Sequence, residues 1–349
     1  MRLGNMLHHK MGWALPAGPN HEVVLSSRVR LARNLADRPF PGRAGAEDSA
    51  AVLATVADVV RKSKSLGNAA QITLEELAPL DRSFLVERHL ISNLLASEPK
   101  GRAVIVGDRD ILSLMINEED HLRLQGIDSG LCLKELLGKT GALDSELSES
   151  LDIAYHLEWG YLAACPTNLG TGLRASTLVH LPGLTLTGQI NRVLDGLSRL
   201  GVIARGLYGE GTKVMGDFYQ ISNATSLGPA EGAIVEDMTN VVGILIQKEN
   251  EARSELSDGT RKLRLEDLVY RSLGILGNAR MVTYEETMQH LSYVRMGLSL
   301  GWKLPASLDT VNELIVLAQP AHIQMLAGKE LDSMDRDFLR ATLLRRKLE

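Results

Sequence analysis

Three consecutive carboxylates, Glu118-Glu119-Asp120, follow directly on the apolar run Ile111-Leu112-Ser113-Leu114-Met115-Ile116 and are followed in turn by His121, Leu122 and Arg123. An unpaired charge is costly to bury, whereas a short apolar run of this kind reads as a buried strand. The chain must therefore leave a core here and set acidic groups at the end of a rigid element. Arg102-Ala103-Val104-Ile105-Val106 is also strand-like, and Gly107-Asp108-Arg109-Asp110 between the two runs supplies the turn of a hairpin. The acidic stretch then lies at the end of the second strand of an antiparallel pair. Taken alone it is either a solvated acidic turn or a carboxylate cluster waiting for a cation, and the rest of the chain decides.

Residues 21–27 read as a strand that runs into Arg28-Val29-Arg30-Leu31-Ala32-Arg33-Asn34. Alternate residues of a strand share a face, so Arg28 and Arg30 project together. Two guanidinium groups side by side repel unless an anion lies between them, and the pair fits a solvated edge strand or an anion site equally. Arg33 falls off that alternation. Helical spacing predicts helices over 46–65 and over 81–97, the second holding His89, where a lone histidine is ordinarily structural. Helices over 130–138 and 144–156 lead to Cys165-Pro166-Thr167-Asn168-Leu169-Gly170-Thr171-Gly172, a loop whose backbone can approach a ligand closely, with Arg174 just beyond it. A helix over 184–200, a strand at 202–205, the glycine-rich Gly206-Leu207-Tyr208-Gly209-Glu210-Gly211 and a strand at 217–223 follow. From Pro229 the pattern is helical, with stretches at 229–258, 264–276, 284–300, 308–317 and 332–348, and a break near 254–260. Strands mixed with helices, then helices alone, predict a mixed α/β or α+β domain over 22–255 and an all-helical domain over 256–349, after an N-terminal segment 1–21.

At 349 residues the chain has room for a full core in each part. A net charge of −5 argues against a broad nucleic-acid-binding face. Two cysteines, Cys132 and Cys165, make no disulfide framework, and no apolar run reaches the roughly 20 residues of a spanning helix. With no signal-peptide pattern at the start, these observations predict a cytoplasmic protein away from membranes.

Arginines recur at strand ends and loops: Arg28 with Arg30, Arg123, Arg174 and Arg205. The guanidinium fork binds phosphate bidentately and keeps its charge. Such a cluster around one cleft requires a polyanion, for which a nucleoside triphosphate is the obvious candidate, and the carboxylates Glu118, Glu119, Asp120 and Glu210 then need a cationic partner beside it. Ser26-Ser27-Arg28-Val29-Arg30, Asn117 to Arg123, Cys165 to Thr171 and Arg174-Ala175-Ser176 together resemble the phosphagen (guanidino) kinases, over about residues 22–255.

The resemblance implies a phosphagen-kinase-like catalytic domain, an antiparallel sheet flanked by helices, that uses ATP with Mg2+. It implies phosphate contacts at Arg28, Arg30, Arg123 and Arg174, within nucleotide-binding segments that also take in Ser26, Ser27, Val29, His89, Ala175, Ser176, Thr177, Leu178, Arg205, Gly206, Leu207, Tyr208, Gly209 and Glu210. It makes Glu119 the group that orients or deprotonates the guanidinium, with Arg123 and Arg174 beside it, Glu118, Asp120 and Cys165 next to the substrate, and Cys165 the family's reactive cysteine. No protein metal cage is implied, since magnesium is held by the nucleotide and water. The chain also departs from the family. The helical N-terminal domain that encloses a small substrate is missing, Tyr208 stands where an ATP-contacting arginine is usual, and Lys213 stands at the second substrate glutamate, which leaves Glu210 for that role.

The short front and the appended helices are similar to the bacterial branch of the family that phosphorylates arginine side chains in proteins. That similarity implies a homodimer held by the helical domain and a regulatory phosphoarginine site at Arg336, Asp337, Arg340 and Ala341. Arg336 and Arg340 sit i,i+4 on a helix. The implied partners are protein substrates, a zinc-binding activator protein, a heat-shock repressor and the Clp ATPase and protease. The alternatives are a kinase for free arginine or another small guanidine, and a catalytically silent phosphoarginine-binding adaptor.

Overall fold

Period-two alternation of side chains gives each strand two chemically different faces, and the fold follows from which face the helices cover. A computed structural model of the protein describes residues 3–66, 69–206 and 214–348. Eight strands form one antiparallel sheet: β1 (Val24–Arg33), β2 (Ala70–Thr73), β3 (Ala103–Val106), β4 (Leu112–Ile116), β5 (Leu122–Ser129), β8 (Leu173–His180), β9 (Val202–Arg205) and β10 (Phe218–Asn223). Their order is β2-β3-β4-β5-β1-β8-β10-β9, while β6 (Tyr155–His156) and β7 (Gly160–Tyr161) make a separate hairpin.

The back face is apolar. Val29, Leu31, Leu114, Ile116, Leu122, Leu124, Leu173, Ala175 and Ile221 pack there beneath the helices Ala46–Val60, Leu133–Ser148, Ile190–Arg199 and Glu231–Leu256. The front face divides into three. At one end Val104, Val106 and Met115 lie under Phe84, Leu85, Leu90 and Leu95. At the other, Leu25, Ile127, Leu178 and Phe218 lie under Trp13 and the C-terminal helices, through Met288, Leu291, Val294, Val311 and Leu314. Between the two apolar ends the front face is polar and open.

The predicted β3–β4 hairpin forms. Several predicted boundaries shift. β1 begins at Val24 rather than His21. The helix predicted over 81–97 is two, Pro79–Glu87 and Asn93–Ser97, because His89 takes the left-handed conformation (φ 60°) and so lies in the break rather than inside a helix. The two helices predicted around Asp144 are one, Leu133–Ser148, and the stretch at 155–156 is strand. The helix over 184–200 is interrupted before Ile190, at Gly188 (φ 72°). In the C-terminal part, Pro320–Ala327 is a helix that the periodicity did not single out.

The C-terminal helices begin at Gly259, after a break at Ser257-Asp258, yet they share the sheet's packing. Arg295, fully buried, donates to the carbonyls of His21 (2.6 Å) and Glu22 (2.9 Å), to Asn312 Oδ1 and to His180 Nδ1 at the end of β8. Glu87, at the end of its helix, accepts from the backbone N–H groups of Ala321 (2.7 Å) and His322 (2.9 Å) and from His322 Nδ1 (2.7 Å). Those two amides are among the orphan donors at the start of the Pro320–Ala327 helix, so a carboxylate from the sheet side caps a C-terminal helix. Replacing Glu87 with alanine leaves these donors unsatisfied in a buried place and is expected to lower stability by roughly 1–3 kcal/mol, read as a lower urea midpoint of unfolding.

Candidate active site

On the front face, cross-strand partners lie about 5 Å apart and point the same way. The register sets Arg30 directly opposite Arg174 on β8, Arg28 opposite Ser176, and Arg30 opposite Gln125 on β5. Arg123 is two residues from Gln125 and shares its face, and Arg205 pairs with Gln220 on β10. Arg28, Arg30, Arg123, Arg174 and Arg205 therefore line one cleft of about 1200 Å³, with Gln125 and Gln220 on its floor. The segment Val86–Leu94, including His89, walls one side, and Glu119, Cys165, Thr167 and Asn168 close its rim.

Loss of solvent, then Arg174 and Arg123, brings Arg28 down to about 10, and Arg30 is pushed well below the usual guanidinium range by the same loss of solvent and by Arg28. Among the described residues, the buried Nε of Arg30 has no hydrogen-bond partner. Burial and the charges of Arg28 and Arg30 lower His89 to about 3, so this ring is neutral. It packs edge-on against Trp13 at 5.0 Å, and its carbonyl accepts from Gln125 Nε2 at 2.7 Å.

The acidic stretch is the turn between β4 and β5. Asn117 opens it in the left-handed conformation (φ 59°), which asparagine tolerates, and its amide donates to the carbonyls of Ser49 and Gly101, each at 2.9 Å. The three carboxylates then diverge. Glu118 is buried, accepts from Ser92 Oγ at 2.5 Å and pairs with Arg123 at 2.6 Å. Asp120 is buried and accepts from Asn34 Nδ2 (2.7 Å) and from the backbone of Ala164 (2.7 Å), which ties the turn to the cysteine loop. Glu119 alone opens to the cleft, with its side chain 38% exposed. Burial raises its pKa and Arg123 opposes that shift, while the Cys165 thiol on the same rim meets Thr167 Oγ1 at 3.0 Å. His121 is neutral through burial and structural: Nδ1 accepts from Leu35 N at 3.1 Å, so Nε2 carries the proton towards Pro39 O at 3.1 Å.

Not every expected residue reaches the cleft. Glu118 and Asp120, expected beside the substrate, are turned to protein partners. Ser27, Val29, Ala175 and Thr177 alternate with the cleft residues and point to the back face, where Ser27 Oγ donates to Gly130 O at 2.7 Å. Ser26, Ser176 and Leu178 stay on the front beside Arg28. Leu207, Tyr208, Gly209, Glu210 and Lys213 lie outside the described residues, and Gly206 ends the described run. Arg33 is structural: it pairs with Asp144 at 2.7 Å and lies 3.5 Å over the Tyr161 ring. In the C-terminal helix Arg340 is buried, donating to Ala318 O (2.7 Å), Val282 O (2.9 Å) and Asp337 (2.5 Å), and Ala341 is core, so only Arg336 of the predicted pair is partly open. Gln125, Gln220 and Ser92 were not singled out, although the alternation that groups Arg28 with Arg30 also groups Arg123 with Gln125. No three His, Cys, Asp or Glu among the described residues gather as a metal site. No described helix is long and apolar enough to cross a membrane.

Comparison with known proteins places this cleft in context. Residues 51–252 match the model of the ATP:guanido phosphotransferase C-terminal catalytic domain, and residues 262–349 match that of the protein-arginine kinase McsB C-terminal domain. The chain is 45% identical over 339 residues to a protein-arginine kinase of Symbiobacterium thermophilum, covering 96% of each, and 41% identical over 338 residues to that of Bacillus subtilis, covering 96% of this chain and 93% of the relative. Among solved structures it is similar to a duplicated taurocyamine kinase from Schistosoma mansoni, with a TM-score of 0.62 and 25% identity over 72% of this chain and 36% of that one. It also matches the fold of a lombricine kinase, with a TM-score of 0.60 and 23% identity over 71% of each chain.

A like-charged pair set directly opposite on neighbouring strands is destabilising until an anion arrives. Arg30→Met is therefore expected to stabilise the ligand-free protein by roughly 1–3 kcal/mol and to weaken ATP binding by at least about tenfold. Thermal unfolding and calorimetric titration with ATP check the two halves.

Proposed function

The chain belongs to the protein-arginine kinases of the ATP:guanido phosphotransferase family, and from that premise we propose how its cleft transfers the γ-phosphoryl group of ATP to an arginine side chain of a protein. The observation that carries the reading is the divergence of the acidic turn: of Glu118, Glu119 and Asp120, only Glu119 faces the arginine-lined cleft.

Arg28, Arg30, Arg123, Arg174 and Arg205 hold the phosphates. Catalysis of phosphoryl transfer is largely alignment plus stabilisation of charge on the transferred oxygens, and a pre-formed set of guanidinium groups supplies both. Glu118, fixed by Ser92, positions Arg123 for that task. The acceptor guanidinium has a pKa of about 12.5–13.8 and arrives protonated, a poor nucleophile. Glu119 orients the planar group and takes a proton from the attacking nitrogen as the N–P bond forms and the bond from phosphorus to the leaving ADP oxygen breaks. Cys165 lines the same rim as Glu119, and Glu210, which lies outside the described residues, is the carboxylate we assign to the second contact with the guanidinium. The donor set suits a nucleotide polyanion, with an Arg30 Nε that has no partner among the described residues. Magnesium would be held mainly by the nucleotide rather than by side chains of the chain, and would supply charge neutralisation there.

Full-length similarity to protein-arginine kinases also supports pairing of two copies through the C-terminal helices, phosphoarginine recognition around Arg336, control by a zinc-binding activator, action on a heat-shock repressor and delivery of marked proteins to the Clp machinery in the cytoplasm.

Glu119→Gln is expected to retain ATP binding and to lower kcat about 10²–10⁴-fold. Mass spectrometry of a protein substrate incubated with ATP should show acid-labile phosphate on arginine with the wild type. Phosphate confined to Ser, Thr or Tyr would overturn the reading. Because burial raises the Glu119 pKa and the base must be ionised, kcat/KM should be lost as pH falls, with its acid limb above the ordinary carboxyl value of about 4.3. The limb of kcat should lie lower, because a bound guanidinium favours the carboxylate. A limb in kcat/KM at or below the ordinary value would remove Glu119 as the base.

A further inference from the structure

The β6–β7 hairpin carries three large apolar side chains in the solvent within five residues: Tyr155 is 56% exposed, Leu157 95% and Trp159 44%. Its base is fixed. Tyr155 meets Tyr161 edge-on at 5.2 Å, and Tyr161 lies under the buried Arg33. Among the described residues, no strand pairs with the outer edge of β6. From β7 the chain runs directly to the acceptor site: Leu162 O accepts from Asn34, Ala164 N donates to Asp120, and Cys165 lines the cleft with Glu119.

We propose that this hairpin docks the substrate polypeptide beside its target arginine, with Tyr155, Leu157 and Trp159 taking an apolar side chain of an extended segment. The proposal rests on Glu119 being the acceptor site and deepens that reading. Phosphorylating a side chain of a polypeptide requires the flanking chain to cross the rim of the cleft, and the hairpin is continuous with that rim through residues 161–165. Five residues span at most about 17 Å, so a substrate residue within about five positions of the arginine reaches the hairpin. A free strand edge beside aromatic and aliphatic side chains suits an extended peptide, whose backbone pairs with the edge while alternate side chains meet the apolar surface.

The test uses the full chain and two arginine peptides, one flanked by Gly and Ser only, the other with Leu or Phe three to five positions from the arginine. The wild type should show a KM about tenfold lower for the apolar-flanked peptide. The Leu157→Ser/Trp159→Ser variant should lose that difference while keeping kcat, the KM for ATP and the KM for the Gly/Ser peptide. Leu157→Glu should shift preference towards Lys at the flanking position, a gain that a merely structural role would not produce. Equal KM values in the wild type, or discrimination unchanged in the double variant, overturn the docking site and leave the catalytic reading intact. A change of oligomeric state in the double variant would assign the patch to a second copy of the chain and also overturn it. Failure of the wild type to phosphorylate arginine in either peptide or in a protein overturns the catalytic reading itself.

Discussion

Mutual repulsion of arginines on one face of a sheet is the constraint around which the molecule is arranged. Arg30 and Arg174 are direct cross-strand partners, and like charges set directly opposite on neighbouring strands are destabilising. The surrounding fold has to carry that term. It does so by placing the cations in the middle of the front face and packing apolar clusters at both ends. Along β5 the front-facing residues run Arg123, Gln125, Ile127; along β8, Arg174, Ser176, Leu178; along β10, Ser222, Gln220, Phe218. Each strand passes from the polar cleft to an apolar anchor in two steps. A nucleotide relieves the repulsion, so binding and folding are linked: whatever favours the charged cleft favours the native state.

The same economy explains why three adjacent carboxylates have three functions. A tight turn opened by Asn117 in the left-handed region points successive side chains in different directions. Glu118 then neutralises Arg123, Asp120 fastens the cysteine loop, and Glu119 is left facing the cleft. Its raised pKa comes mainly from lost solvent and is limited by Arg123, which suits the proton-accepting role proposed for it.

Much of this was legible in the residues. The β3–β4 hairpin followed from two apolar runs around a Gly-Asp turn, the facing of Arg28 and Arg30 from alternation, and the helical C-terminal part from its spacing. The identity of Glu119 among its neighbours came from a motif, because charge alone does not separate it from Glu118 and Asp120. What escaped depends on tertiary context. The His89 break is invisible to periodicity, because the apolar positions on either side keep helical spacing while the backbone changes hand between them. Arg340 looked like an open partner of Arg336, since i,i+4 spacing reports a shared helix face and says nothing about which face is buried against Ala318 and Val282. Gln125 and Gln220 carry no charge to draw attention, and only register brings them to the cleft floor.

The helical break at Ser257-Asp258 looks like a place to divide the chain, but the packing does not divide there. The strands that present Arg123 and Arg174 also present Ile127 and Leu178 to the C-terminal helices, and Glu87, two residues before the cleft-lining His89, caps one of those helices. A catalytic fragment cut at the break would expose the apolar third of its own sheet face and leave the Glu87 carboxylate without its partners. The two halves are thus obliged to change together: a substitution at Val294 or Leu314 acts on the same strands that hold the cleft-lining arginines, and exchange of the helical part between relatives has to bring its matching sheet surface with it.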